Sequence, residues 1–439
     1  MTPLKKALAA ATLVTAPLAL PISHAAAQDA PSSEAEPVAP IQMRSEQVVA
    51  LVNGELDVPL EEVFTEGFLQ AVPPAQLTGL SAQLTSQFGR ALEVETLEPD
   101  TGTRSALAIR MERAVGRGGI AIDPQDGNRI NELLFRSFDP LNDSAEKIIN
   151  ELNALPGNVG AYFGPLDGTN PAISINPDEQ FAIGSTFKIY VLAALNRRIT
   201  SGKEAWDSTT DLSITRRSFP SGMMQDWPDP APVTLQTLAT MMISISDNTA
   251  TDTLMRHVGV DAVIDEMIAS GHSTPAKNVP FLTTREMFAL KAAGDETLTQ
   301  YRAASVSDKA EILHRLNDSD LDVNRIQSTF SGGPVALDVE WFASPNDLRK
   351  LYIHMLDQGS GVPLKIMSVN PSMADNGWQN WASAHYKGGS EPGVLNLTWL
   401  LYTKAGLPYV LTLSWNDADA NLDETALELI AQRIMALPL

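Results

Sequence analysis

Strand-like runs stand at both ends of one long segment, and helical runs fill its middle. Tyr162-Phe163 and residues 172–175 flank the turn-rich stretch Asp167-Gly168-Thr169-Asn170. Near the other end, residues 394–402 and 408–415 alternate as strands do and are joined by Lys404-Ala405-Gly406. Between them, helical spacing predicts helices at 185–199, 235–243, 249–257, 261–269, 284–292, 308–316 and 344–356, with a closing helix at 423–437. Isolated strand pairs are marginal in water, so the two ends must complete one sheet. The expected fold class for residues 139–439 is therefore α+β, an antiparallel sheet flanked by helices.

A smaller domain is expected at 41–138. Val48, Val49 and Val52, then Leu60, Val63 and Phe64, then Leu77, Leu80 and Leu84 recur at helical spacing. Strand-like runs follow at 105–111, 119–122 and 128–135, so this domain too is α+β, with helices first and a short sheet after. Asp139-Pro140 marks its end, and Asp143 with Glu146 has the capping-box spacing that opens the next helix. Residues 28–40 are rich in Pro, Ala and acids without periodicity and read as a linker.

Residues 1–27 read as a cleavable signal peptide. Lys5 and Lys6 precede an apolar run that Pro17 interrupts, and Ala25-Ala26-Ala27 offers the small residues of a cleavage site. The expectation is a periplasmic or secreted protein with no membrane anchor after cleavage. The chain has no cysteine, which excludes disulfides, a cysteine nucleophile and a lipid-bearing cysteine anchor. A net charge of -22, with 53 acidic against 31 basic residues and no basic cluster, argues against a nucleic-acid partner. The mature-chain histidines show no paired ligand spacing, so no metal and no cofactor are expected.

A serine hydroxyl needs a neighbouring base to act as a nucleophile. Ser185 and Lys188 lie three residues apart at the start of a helix, on one face. Ser144 and Lys147 repeat that spacing but read as a surface helix start. Ser246-Asp247-Asn248 falls in a gap between two apolar helices, where a hydroxyl and an amide can face a cleft. Lys387-Gly388-Gly389 follows a short strand run and precedes Ser390, and its glycines allow a substrate to lie close to the backbone. Each motif alone reads as a cap, a turn or a strand end. Together and in this order they point to a site.

The trio resembles the S-x-x-K, S-D-N and K-T-G motifs of class A β-lactamases and penicillin-binding proteins. The likeness covers residues 143–439, and the two-domain arrangement looks like the Cpe/LpqF group of serine hydrolases. That group places a small cystatin- or NTF2-like domain before a β-lactamase-like one. The resemblance implies a hydrolase that forms an acyl-enzyme on Ser185, with Lys188 as base and Ser246 and Lys387 passing a proton to the leaving group. It also implies that Asn248 holds Lys188 or a substrate amide. Gly389 and Ser390 would line the oxyanion hole, where the backbone N–H groups of Ser185 and Ser390 donate. The implied partner is a small β-lactam or ester, with peptidoglycan a further candidate. A non-hydrolytic cell-wall protein and a D-Ala-D-Ala peptidase are the alternatives.

Two departures bear on turnover. Class A enzymes carry a Glu-x-x-Leu-Asn loop before a Thr-Thr-initiated helix, whereas residues 271–280 ahead of Thr283-Thr284 contain no acid. Lys387 is followed by Gly388, which lacks the hydroxyl that helps bind a β-lactam carboxylate. Weak turnover is therefore expected. His385 could replace the missing base, but a packed or surface histidine is the expectation. Glu391, Asp265 and Glu266 are read as solvated acids, and Met241-Met242, Trp378 and Trp381 as core or cleft rim.

Overall fold

The computed structural model describes residues 39–141, 143–212, 217–317, 322–359, 361–373 and 378–439. The signal-peptide reading lies outside these residues, as does nearly all of the linker. The chain divides into two compact units, one up to Asp143 and one formed by most of the rest.

In the smaller unit, helices Pro40–Val52, Leu60–Val63, Glu66–Ala71 and Pro74–Phe88 precede a four-stranded antiparallel meander. Its strands are β1 (Ala91–Thr101), β2 (Arg104–Met111), β3 (Ala114–Asp123) and β4 (Arg129–Pro140). The first helix opens at Pro40, a residue expected in the linker, because proline lacks the N–H that the first helical position would leave unsatisfied. Val48, Val63, Phe64, Leu107, Ile109 and Ile120 form its interior.

The larger unit carries a five-stranded sheet whose order from one edge is Trp381–Glu391, Val394–Thr403, Pro408–Asn416, Asn158–Pro165 and Ile173–Ile175. Here β5 (Asn158–Pro165) and β6 (Ile173–Ile175) come from the start of the segment. The strands β11 (Trp381–Glu391), β12 (Val394–Thr403) and β13 (Pro408–Asn416) come from its end. The two ends join through β13 and β5, where Leu413 faces Ala161 and Trp415 faces Val159. This is the single sheet that the sequence pattern required. One face packs under helices Ala145–Asn153 and Glu424–Met435, burying Ile148, Leu152, Leu427 and Ile434. The other packs against the helical middle, whose central member is Lys188–Thr200.

The helix at Ala145 is capped by Ser144, whose Oγ accepts the Lys147 N–H, rather than by Asp143. The second Ser-x-x-Lys match is thus a helix cap. Ser344 and Asp347 close a reciprocal capping box on helix Pro345–Asp357, as their spacing implied. Thr283 and Glu286 do the same for Thr284–Ala292. Two further helices, Asp295–Ala303 and Val323–Ser331, also lie between the second and third motifs. No helix among the described residues is long and apolar enough to cross a membrane.

Candidate functional site

The three motifs meet on the larger unit. A two-residue strand β7 (Phe181–Ala182) pairs with β10 (Phe342–Ala343) and leads into a 3-10 turn, Gly184–Phe187. The Ile183 N–H donates to Trp341 O, and the Phe187 ring stacks on Trp341 at 3.9 Å, which fixes the turn from behind. Ser185 sits on this turn, partly exposed, and Lys188 begins the buried helix that follows.

Lys188 is fully buried, and all three N–H bonds of its ammonium are used. Nζ donates to Ser246 O at 2.8 Å, Ser246 Oγ at 3.0 Å and Asn248 Oδ1 at 2.7 Å. Burial first, and the Lys387 cation second, hold its pKa well below the usual lysine range, while Asp252 and Asp247 oppose them. A neutral amine has two N–H bonds and a lone pair, so deprotonation frees one of these three contacts.

Ser246 has φ 59°, in the left-handed region that β-carbons disfavour. Its surroundings hold it there. Ser221 Oγ donates to Ser246 O at 2.7 Å, and Asp247 is fully buried beneath. The Asp247 carboxylate accepts the N–H groups of Met223, Met224 and Ala250, at 2.7, 2.9 and 2.8 Å. The Asn248 amide is used at both ends, because Nδ2 donates to Phe219 O at 3.0 Å. Asn248 therefore positions Lys188 through its oxygen, and its amide nitrogen keeps a second N–H beyond the one given to Phe219 O.

Lys387 approaches the same hydroxyl from the opposite wall. Its Nζ lies 3.2 Å from Ser246 Oγ and also donates to Gly388 O. Burial brings its pKa down to about 7. The strand β11 that carries it lies at the edge of the sheet and therefore has one unpaired backbone flank. A β-carbon on Gly389 would stand 2.2 Å from Ile183 O and 2.4 Å from Ser185 N, so only glycine lets this strand reach the Ser185 turn. A β-carbon on Gly184 would come within 3.1 Å of Ser390 N, which brings the Ser185 and Ser390 backbones together. The Ser390 hydroxyl bonds Glu424 instead, leaving the N–H as this residue's contribution to the cleft. A β-carbon on Gly388 would lie 2.0 Å from Tyr386 Oη, so a side chain there would require the Tyr386 ring to move.

Two expectations about acids are corrected, while those for Trp381 and His385 hold. Glu391 ends β11 with a side chain only 4% exposed, ion-paired with Lys291. Glu266 is buried too, bound to Arg197 and His354. Both were read as solvated because charge was weighed without the cation that burial supplies. Trp381 is core, its Nε1 donating to Met435 O at 3.0 Å, whereas Trp378 is 36% exposed. His385 is packed, with Nδ1 at 2.7 Å from Ser368 Oγ and 2.9 Å from Leu364 O. Asp252, which sequence reasoning passed over, accepts Ser218 Oγ and the Thr284 and Arg285 N–H groups and so ties the second motif's helix to helix Thr284–Ala292. Its only sequence signal was an acid on an otherwise buried helix face.

Residues 143–325 match the family model described as the beta-lactamase enzyme family. These residues carry a β-lactamase-like domain. The match takes in Ser185, Lys188 and the Ser246 turn and ends before Lys387. Among solved structures, this chain is similar to a β-lactamase from Sphaerobacter thermophilus DSM 20745 at 22% identity and TM-score 0.47, covering 67% of this chain and 95% of that one. It is similar to PBP-A at 17% identity and TM-score 0.46, covering 67% and 94%. A β-lactamase from Francisella tularensis gives 13% identity and TM-score 0.47, covering 66% and 96%. No curated protein sequence matches the chain.

Proposed function

We propose that this β-lactamase-like domain is an exported acyl-transfer hydrolase that forms an acyl-enzyme on Ser185 from a β-lactam, ester or related amide. The observation that carries the reading is Ser246 Oγ held between Lys188 and Lys387, at 3.0 and 3.2 Å, beside the Ser185 turn. Neutral Lys188 takes the Ser185 proton as Oγ attacks the carbonyl carbon. The N–H groups of Ser185 and Ser390 receive the developing oxyanion, a device worth about 3 kcal/mol of barrier. Ser246 then passes a proton to the leaving nitrogen or oxygen, and Lys387 supports that transfer electrostatically. The edge strand offers its backbone to an extended acyl group.

Turnover is the weaker half of this reading. Two acids near the third motif are committed elsewhere, Glu391 and Glu340 both to Lys291. Acyl-enzyme should accumulate, and that favours a penicillin-binding, peptidase-like role on peptidoglycan stem peptides as the second reading. The periplasmic or secreted location rests on residues 1–27, and the cystatin- or NTF2-like affinity of the smaller unit is likewise proposed.

Intact-mass measurement after exposure to a fluorescent penicillin and to an activated ester tests the site. Wild type should gain one adduct and Ser185→Ala none; equal labelling of both would falsify covalent catalysis here. Release of D-alanine from a stem peptide separates the peptidase reading from a β-lactamase one.

A further inference from the structure

Behind the third motif lies a buried cluster that the acylation chemistry does not use. Lys291, on helix Thr284–Ala292, has a fully buried side chain. Its Nζ contacts Glu391 Oε1 and lies 3.7 Å from Glu340 Oε1, and the Glu340 side chain is also fully buried. Glu340 Oε2 accepts the Trp341 N–H at 2.9 Å. That leaves Glu340 Oε1 and Glu391 Oε2, both buried and both without a donor. Both carboxyl groups crowd the single Lys291 ammonium, and the Glu391 charge adds to burial in raising the Glu340 pKa. Two carboxylate oxygens attract only if a proton lies between them. With one shared proton the cluster carries one negative and one positive charge and is neutral. Without it, one negative charge stands uncompensated in the interior.

The two ends of this pair hold the two walls of the oxyanion pocket. Glu391 directly follows Ser390 on β11. Glu340 precedes Trp341, whose carbonyl receives the Ile183 N–H and whose ring supports Phe187, on either side of Ser185. Other charged groups nearby are neutralised or turned aside. Asp338 is paired with Arg302 at the surface, and Lys277 lies over the Phe342 ring at 3.8 Å. The Phe330 ring lies 6.0 Å from Lys291 Nζ.

We propose that Glu340 and Glu391 share one proton and, balanced by Lys291, act as positioning residues that clamp the Ser390 strand end to the Ser185 turn, and that loss of the proton opens the clamp. This rests on the reading of the Ser185 and Ser390 N–H groups as oxyanion donors. Burial and the neighbouring carboxylate raise the Glu340 pKa to about 8, which places the opening in the mildly alkaline range.

Glu340→Gln is the decisive variant, because its amide donates to Glu391 as the shared proton does but does not titrate. Melting temperature and the single-turnover acylation rate by an activated ester are measured for both proteins from pH 5 to pH 9.5. A carboxyl whose pKa is higher folded than unfolded stabilises below its unfolded pKa, and that contribution fades as pH rises to about 8. The variant should therefore melt like wild type at pH 5 and at a higher temperature at pH 9. At pH 9, a unit above the transition, only about one tenth of wild type keeps the proton, so the variant should acylate about tenfold faster. Melting curves with the same pH dependence in both proteins overturn the shared proton. A changed melting profile with an unchanged acylation profile overturns the link to the pocket. If neither protein acylates at any pH, the functional reading fails and with it that link, while melting still decides the shared proton.

Discussion

Lys188 Nζ and Lys387 Nζ approach one oxygen, Ser246 Oγ, at 3.0 and 3.2 Å. Both lysines are buried, and two ammonium groups about one hydroxyl repel. The arrangement therefore favours a neutral Lys188, the state a general base needs, and leaves Lys387 as the group that titrates near neutrality.

Lys387 has a folded pKa of about 7, below its ordinary 10.5. Between those values the unfolded chain binds more protons, so this residue's contribution to stability rises with pH across that window and is lost as pH falls through about 7. Lys387→Met should be more stable than wild type at pH 6, by about 2–5 kcal/mol, with the advantage gone by pH 10.5. Urea denaturation at the two pH values measures it. The same variant should acylate about a hundredfold more slowly, because Ser246 loses its electrostatic support.

Gly389→Ala introduces a methyl group 2.2 Å from Ile183 O and 2.4 Å from Ser185 N. Both are backbone atoms, so the strand or the turn must move. A stability loss of about 1–3 kcal/mol is expected from such overpacking. Acylation should fall further than stability does, since the displaced atom belongs to the proposed oxyanion pocket. Chemical denaturation and rapid-quench acylation separate the two.

Asp247→Ala removes the acceptor of three backbone N–H groups in a fully buried setting. Leaving such donors unpaired costs about 1–3 kcal/mol each at most, so a loss of several kcal/mol is expected. The Ser246 backbone, held at positive φ by this network, should relax, and acylation should become undetectable in any fraction that still folds. Circular dichroism melts and mass-spectrometric labelling check the two effects.

His385→Ala tests whether the packed histidine takes any part in releasing the acyl group. Its contacts are with Ser368 and Leu364, and burial lowers its pKa. The expected result is a stability loss of about 1–3 kcal/mol with acylation and deacylation rates close to wild type. A deacylation rate that drops tenfold or more would return His385 to the catalytic machinery.

Much of the larger unit was legible because its signals are local. Residues 394–415 alternate with a short turn between them, and Ser344 stands three residues before Asp347, so strand pairing and capping follow from neighbours in the chain. In the smaller unit β1 went unseen. Glu93, Glu95 and Glu98 and then Pro99 give an edge strand, mostly exposed, the composition of a loop. Helices Asp295–Ala303 and Val323–Ser331 were missed for a related reason, since they are short and bury few side chains, Leu298 and Tyr301 in the first and Ile326 in the second.

The sequence by itself determined the chemical inventory: one hydroxyl and one amine three residues apart, a Ser-Asp-Asn turn, a Lys-Gly-Gly strand and no thiol. It also determined that strands from both ends of the segment had to share a sheet, because neither pair could bury a face alone. Only the tertiary structure decided which charges are buried and what they meet. Glu391, Glu340 and Lys291 lie as much as 100 residues apart in the chain, yet they neutralise one another in the interior. The Lys188 pKa falls only because folding removes its water and sets Lys387 on the same hydroxyl. A pKa depends on solvent and on neighbours in space, and neither is a property of sequence order.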